Sequence, residues 1–283
     1  MKTLQYQATL KSALHFAGVG VHTGAQARIE IAPAPPGSGI VFLLNGSVRV
    51  PATAEYVTET ARATVIGRDG ATVSTIEHLM AGLFAMGVDN ATIAVDGPEI
   101  PVMDGSAQAF AQAIAQSGVL AQGEVRKRLV VTEPRFFRDG DRMLIVLPAS
   151  RLRVQFLADF APPVGTQFFS SEITPDVFLK ELAGARTFAF LHEVEALRKR
   201  GLAQGGTLEN AVVFGPEGPL TPLRWSDEVV RHKVLDLLGD LSLIGAYPQC
   251  EVIAVKSGHR LHCIATQELR KSIASTLASA KVQ

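Results

Sequence analysis

The chain has 283 residues, 47% of them hydrophobic and 19% charged, which is ample apolar material for one large or two medium globular cores. Its 27 Lys and Arg balance 27 Asp and Glu, so no net positive field is available to hold nucleic acid or an anionic membrane, and any phosphate recognition must be local. Two cysteines, Cys250 and Cys263, make neither a CxxC motif nor a disulfide framework; the opening "MKTLQYQATL" lacks a basic-then-apolar leader, and "LLGDLSLIGAY" is broken by Asp240 before it could span a bilayer, so a cytoplasmic protein without stable membrane insertion is expected.

From Gln7 to Gly118 the runs "ARIEIAP" and "GIVFLL" predict strands, residues 74–87 a helix, "NATIAVD" a strand, and a further helix starts near Ser106. The weakly apolar, then charged "GVLAQGEVRKR" predicts a boundary near residue 125. Beyond it, "RLVVTEP", "RMLIVLP" and "RLRVQFLADF" read as strands and "PDVFLKELAGA" as a helix. A helix at 227–244, the strand "CEVIAVKSG" and a last helix "QELRKSIASTLASA" complete the chain. The order repeats, and "NATIAVDG" resembles "EVIAVKSG", which hints at an internal duplication. The working model is α+β in two halves, 1–125 and 126–283, with a strand-helix-strand unit around 187–214 inserted in the second.

The segment "DEVVRHKVLDLLGD" places His232, Asp236 and Asp240 at steps of four along a helix whose other side carries Val230, Val234, Leu237, Leu238 and Leu241. Residues four apart sit about 6 Å apart along the axis, so His232 and Asp236 can hold one ion. The plain alternative is a solvated helix face. A second histidine, His78 in "STIEHLMAGL", would complete a His, His, Asp set with an open fourth position, the pattern of catalytic zinc. Glu77 beside it can act as general base, although Ser74 and Glu77 also make an S-x-x-E capping box. In "KSGHRLHC" the Ser257-Gly258 turn predicts a loop position for His259, where Asp240 could orient it and keep it charged as a general acid. The alternative is an exposed turn residue. His15, His192 and His262 read as structural or surface residues. His22 in "GVGVHTG" reads as a hydrogen-bonded turn histidine, since GxG with no helix after it is a weak phosphate loop.

Taken together, "GVGVHTG", "STIEHLMAGL", "EIPVMDGSA", "ARTFAF", "GGTLENAVV", "VRHKVLDLLGDL" and "KSGH" resemble, in order and spacing, the UDP-3-O-acyl-N-acetylglucosamine deacetylases, zinc amidases that commit Gram-negative bacteria to lipid A synthesis. The resemblance covers about residues 5 to 270. Ala61 and Ala63 stand where some members carry larger or sulfur-containing side chains, which bears on the pocket wall and not on the chemistry.

What the resemblance implies is a two-domain α+β sandwich, with helices of both halves between two outer sheets. It makes His78, His232 and Asp236 the ligands of one zinc per chain, with ferrous iron as an alternative occupant. Glu77 becomes the base on the attacking water, Thr187 an oxyanion donor beside the metal, and His259, held by Asp240, the acid for the departing amine. Lys233 would bind substrate or stabilise charge near the metal. The insertion would form an acyl tunnel walled by Phe188, Leu191, Val194, Leu202, Leu208 and Val213, Phe160 would stack on uracil, and Lys256 with Lys233 would meet the diphosphate. The expected partner is the acylated UDP-amino sugar, the expected unit a monomer. Two rivals stay open: an amidase acting on another N-acyl sugar, and a non-catalytic UDP-sugar-binding protein, for which both a base and an acid would be superfluous.

Overall fold

The computed structural model describes residues 5–279. Alternation builds the first sheet: in Gln26–Pro33, Ala27, Ile29 and Ile31 are buried while Gln26, Arg28 and Glu30 face water. The sheet runs in the order Leu14–Val19, Gln26–Pro33, Ala91–Asp96, Ile40–Leu44 and Val48–Pro51. Its successive pairings are antiparallel, antiparallel, parallel and antiparallel. A second sheet, Arg135–Asp139, Arg142–Pro148, Tyr247–Val255, Arg153–Asp159 and Thr166–Glu172, repeats that sequence of pairings, with Arg128–Val130 added beside Tyr247–Val255. "NATIAVD" and "EVIAVKSG" therefore mark the equivalent central strands of two sheets of one topology.

The helices follow the same repetition. They are α1 (Glu77–Ala85), α2 (Gln108–Ser117), a single turn α3 (Pro175–Val177), α4 (Leu191–Lys199), α5 (Glu228–Ser242) and α6 (His259–Ser279). A parallel pair requires a crossover, and α1 lies in the first such connection as α5 lies in the second. Every residue of α1 except Phe84 is buried, as a helix apolar on all sides must be. Leu79, Met80 and Leu83 join a core with Ile31, Phe42 and Ile93 of the first sheet, while Ala81 and Ala85 join a core with Val234 and Leu238 of α5 and Val154 and Val252 of the second sheet. α1 and α5 touch backbone to backbone: a Cβ on Gly239 would lie 2.2 Å from the Glu77 carbonyl oxygen, so only glycine fits there.

Two sequence expectations, on the last helix and on the helix at 175–185, are corrected, and the segment at the expected boundary has a structure of its own. The last helix begins at His259, eight residues before "QELRK", because Gly258 ends the turn and His259 and His262 both face inward, giving the helix a buried face earlier than its apolar run suggests. "GVLAQGEVRKR" is not a bare linker: Val119–Val125 pairs antiparallel with Tyr6–Leu10, and the Arg126 N–H donates to the Gln5 carbonyl. "PDVFLKELAGA" is one α turn, capped by the Thr174 hydroxyl and continued as a wider π turn over Phe178–Leu182.

The insertion consists of Phe188–Phe190, α4 and Val212–Gly215, its two strands parallel. Its tip is tied to the first half, where the N–H groups of Gln204 and Gly205 donate to the carbonyls of His22 and Val21. Among the described residues no helix is long and apolar enough to cross a membrane.

Candidate active site

Where α1 meets α5, three buried side chains converge. His232 Nε2 lies 3.3 Å and His78 Nε2 3.7 Å from Asp236 Oδ1, and the two imidazoles stand edge to face with centroids 4.9 Å apart. His232 Nδ1 is 3.0 Å from the Ala185 carbonyl. A carbonyl only accepts, so Nδ1 carries the proton and the Nε2 lone pair points into the cluster. Burial holds His78 down to about 3 and lowers His232 as well, so both rings are neutral donors. Asp236 stays ionised despite burial, held far below the usual carboxylate range by the positive charge around it, that of Lys233 and of the His259 imidazolium. Its Oδ2 accepts from Lys233 Nζ at 2.7 Å, while Oδ1 is buried without a hydrogen-bond partner. An ionised, orphaned oxygen facing two imidazole nitrogens is what a divalent cation satisfies.

Glu77, at the first position of α1, is not a helix cap. Neither the Ser74 nor the Ile76 side chain caps this helix, and the Glu77 carboxylate accepts instead from the Thr64 N–H at 3.0 Å. Burial raises its carboxyl to about 7, with Asp236 and Asp240 adding to the rise and His259 opposing it. That places it where a base is most effective at neutral pH.

His259, on the first turn of α6, reaches back to α5. Its Nδ1 donates to Asp240 Oδ2 at 2.8 Å, and its Nε2 is 3.9 Å from Asp236 Oδ2. Burial alone would lower this imidazole, but the charge and hydrogen bond of Asp240 raise it to about 9, so it is an imidazolium. Asp240 is correspondingly held at about 2 against its own desolvation.

Sequence reasoning missed two partners here. His262, fully buried, donates from Nδ1 to the same Asp240 oxygen at 2.8 Å and meets Ser257 Oγ through Nε2. Thr64 donates its hydroxyl to Asp240 Oδ1 at 2.6 Å while its N–H holds Glu77, bridging the two carboxylates. The spacing H-x-x-H on one helix was the available signal for His262. Nothing local marks Thr64, whose role exists only across the fold. His259, His262 and Asp240 also come within metal-binding reach of one another, but this aspartate is satisfied by both imidazoles and Thr64, in contrast to Asp236.

Of the other candidates, Thr187 is fixed by its backbone, its N–H on the Gly105 carbonyl and its carbonyl on the Val212 N–H. It follows Ala185, the partner of His232, by two residues. Phe188 stands 6.2 Å from the His232 ring and 5.2 Å from Phe160, and Phe190 completes an aromatic wall leading into the insertion. Val194, Leu202 and Val213 are half-buried there, whereas Leu191 and Leu208 are largely exposed. Lys256 is set apart from the cluster and pairs with Asp159 at 2.7 Å and Asp141 at 3.5 Å.

Neutral buried donors beside an orphaned carboxylate, a carboxyl raised toward neutrality and an aspartate-held imidazolium are, in this α+β protein, the groups that metal-dependent hydrolysis calls for. Residues 7–271 match the model of the UDP-3-O-acyl N-acetylglycosamine deacetylase family. Curated proteins named UDP-3-O-acyl-N-acetylglucosamine deacetylase are similar throughout. One from Geobacter sp. (strain M21) is 47% identical, covering 96% of this chain and 92% of its own. Another, from Syntrophotalea carbinolica, is 46% identical over 91% and 85%. A third, from Nostoc sp. (strain PCC 7120), is 43% identical over 93% and 98%. The chain belongs to the UDP-3-O-acyl N-acetylglycosamine deacetylase family.

Proposed function

We propose that the cluster between α1 and α5 is where this deacetylase hydrolyses the N-acetyl group of UDP-3-O-acyl-N-acetylglucosamine, releasing acetate and UDP-3-O-acyl-glucosamine in the committed step of lipid A biosynthesis. Family membership supports the reaction. The observation that supports this location is Asp236 Oδ1, buried, unpaired and faced by two imidazole nitrogens.

His78, His232 and Asp236 would hold one divalent cation, zinc by the preference of a two-imidazole, one-carboxylate set with an open position. Such a cation supplies Lewis acidity toward the amide carbonyl and acidifies the attacking water. Glu77 takes the proton of that water. The Thr187 hydroxyl donates to the carbonyl oxygen as negative charge develops on it. His259 gives its Nε2 proton to the amide nitrogen as the C–N bond breaks, with Asp240 fixing the ring from behind. Lys233 offsets negative charge beside Asp236.

Phe188 and the half-buried residues of the insertion offer the 3-O-acyl chain an apolar path, each buried methylene contributing roughly 0.8 kcal/mol, while Phe160 stacks on uracil. Lys256 pairs with Asp159, the residue before Phe160, and carries the right charge for the uridine diphosphate end. We read the repeated sheets as two domains, 1–125 and 126–283, with 187–214 inserted in the second. We read the chain as working as a monomer, and the two free cysteines suit a reducing cytoplasm.

Elemental analysis and acetate release test the reading together. Wild-type protein should carry about one zinc per chain, His78→Ala should lose both metal and turnover, and Glu77→Ala should keep the metal while turnover falls by at least about a hundredfold. Full activity in Glu77→Ala, or metal retained in His78→Ala, would sink it.

A further inference from the structure

A second cavity, of about 270 Å³, opens past the C-terminal ends of α1 and α5. None of Glu77, His78, Thr187, His232, Asp236 or His259 lines it. Gln7, Gly39 and Asn90 of the first half face Lys127, Tyr247 and Arg270 of the second across it. One wall is apolar: Met80, Leu83 and Phe84 of α1, with the Tyr247 ring stacked on Phe84 at 5.6 Å.

The other wall is cationic. Arg126, Lys127 and Arg270 line the cavity against a single carboxylate, Asp89. Arg126 is only 4% exposed; its Nε and Nη2 donate to Asp89, and Nη2 also donates to the Gly87 carbonyl just past α1. Arg270 donates to the Ile244 carbonyl just past α5 and pairs with Glu55. Both arginines therefore cap helix ends, where the macrodipole favours a cation. Capping does not account for the whole wall. Arg126 Nη1 is buried with no hydrogen-bond partner, an arrangement that costs free energy unless something accepts from it. Nor does the Lys127 amine have an ion-pair partner among the described residues.

We propose that this cavity is a second ligand site, for a small organic anion whose carboxylate or phosphate monoester accepts from Arg126 Nη1 and Lys127 while its ring or short chain lies against Phe84, Leu83 and Tyr247. Its volume admits about ten non-hydrogen atoms at the packing of liquid water, at the small end of ligand pockets. Because it joins the two halves at the far ends of the helices that carry the catalytic groups, occupancy ties α1 to α5 without touching the reaction centre.

The test is calorimetric titration of wild-type protein with phenyl phosphate, benzoate and neutral benzyl alcohol, with amide shifts followed at the cavity glycines Gly39, Gly87 and Gly245. Replacing Arg126 would strand the half-buried Asp89 carboxylate, so the variants are Lys127→Met, which removes a charge, and Ala246→Phe, which fills the space. An anion should bind with shifts at those three glycines, at least about tenfold more weakly in both variants, while deacetylation by both stays within about twofold of wild type. Preference for phenyl phosphate assigns a phosphate ester, and preference for benzoate a carboxylate. Equal binding of benzyl alcohol, anion binding unchanged in both variants, or no anion binding to wild type at millimolar concentration would overturn the site.

Discussion

At the scale of single residues, the two carboxylates proposed to serve catalysis depend on a threonine that contributes no chemistry of its own. Thr64 is 1% exposed, and its two polar groups divide their work: the N–H positions Glu77 and the hydroxyl positions Asp240. Thr64→Val keeps the shape and the N–H but removes the hydroxyl. Asp240 then loses one of three donors and turns more freely behind His259. A hydrogen bond to a charged group contributes about 1.5–3 kcal/mol, so kcat should fall by at least about tenfold, with KM for the acylated sugar nucleotide and metal content unchanged. A rise in KM with kcat intact would show that Thr64 serves substrate binding instead. The same cluster marks the reach of sequence reading. Residue type and helical spacing bring His232, Asp236 and Asp240 to one flank of α5, but Thr64 carries no local mark, since it is defined by a partner 176 positions away, and the H-x-x-H spacing that marks His262 falls before the apolar run from which the last helix is predicted.

At the scale of elements, α5 must arrive at the site with a fixed rotation, and its first residue secures this. Glu228, 1% exposed, accepts from the Arg186 guanidinium and from the backbone N–H groups of Arg186 and Arg224. It thereby holds the start of α5 against the 185–187 segment, which supplies the Ala185 carbonyl to His232. Burial alone would raise this carboxyl, but those donors hold it below its usual range. The linkage sign follows: the stabilisation is fully present above the carboxyl's unfolded range, near ~4.3, and is lost as pH falls through the lowered folded value. Glu228→Gln leaves a buried guanidinium without its counter-charge, which costs about 3 kcal/mol, or about 6 °C in Tm for a chain of this length. Melting curves at neutral pH should show that drop, and the gap between variant and wild type should close in acid. A constant gap at every pH would mean the pair acts through packing alone. Elements of this kind were legible where periodicity is strong, as in Gln26–Pro33 and α5. They were illegible where tertiary pairing decides, as in Val119–Val125, whose polar, glycine-containing run becomes a strand because Tyr6–Leu10 lies beside it.

At the scale of the whole molecule, the repeated topology explains why the site can exist at all. Each half builds a five-strand pattern with one crossover helix, and each crossover helix is buried against its own sheet and against the other helix. Neither half alone has the donors for a cation: α1 brings one imidazole, α5 the other imidazole and the carboxylate. A cation bound by His78, His232 and Asp236 therefore acts as a cross-link between the halves, and its binding free energy adds to the stability of their junction. At a free metal concentration a thousandfold above Kd, that linkage is about 4 kcal/mol. Chelation should lower Tm by about 8 °C, and one equivalent of zinc should restore it. His78→Ala should melt at the same temperature with or without chelator, because its remaining ligands lie on α5 alone and bridge nothing. Were the variant to keep the full metal-dependent shift, the cation would be held within the second half, and α1 would be positioned by Gly239 and the apolar cores without help from the metal.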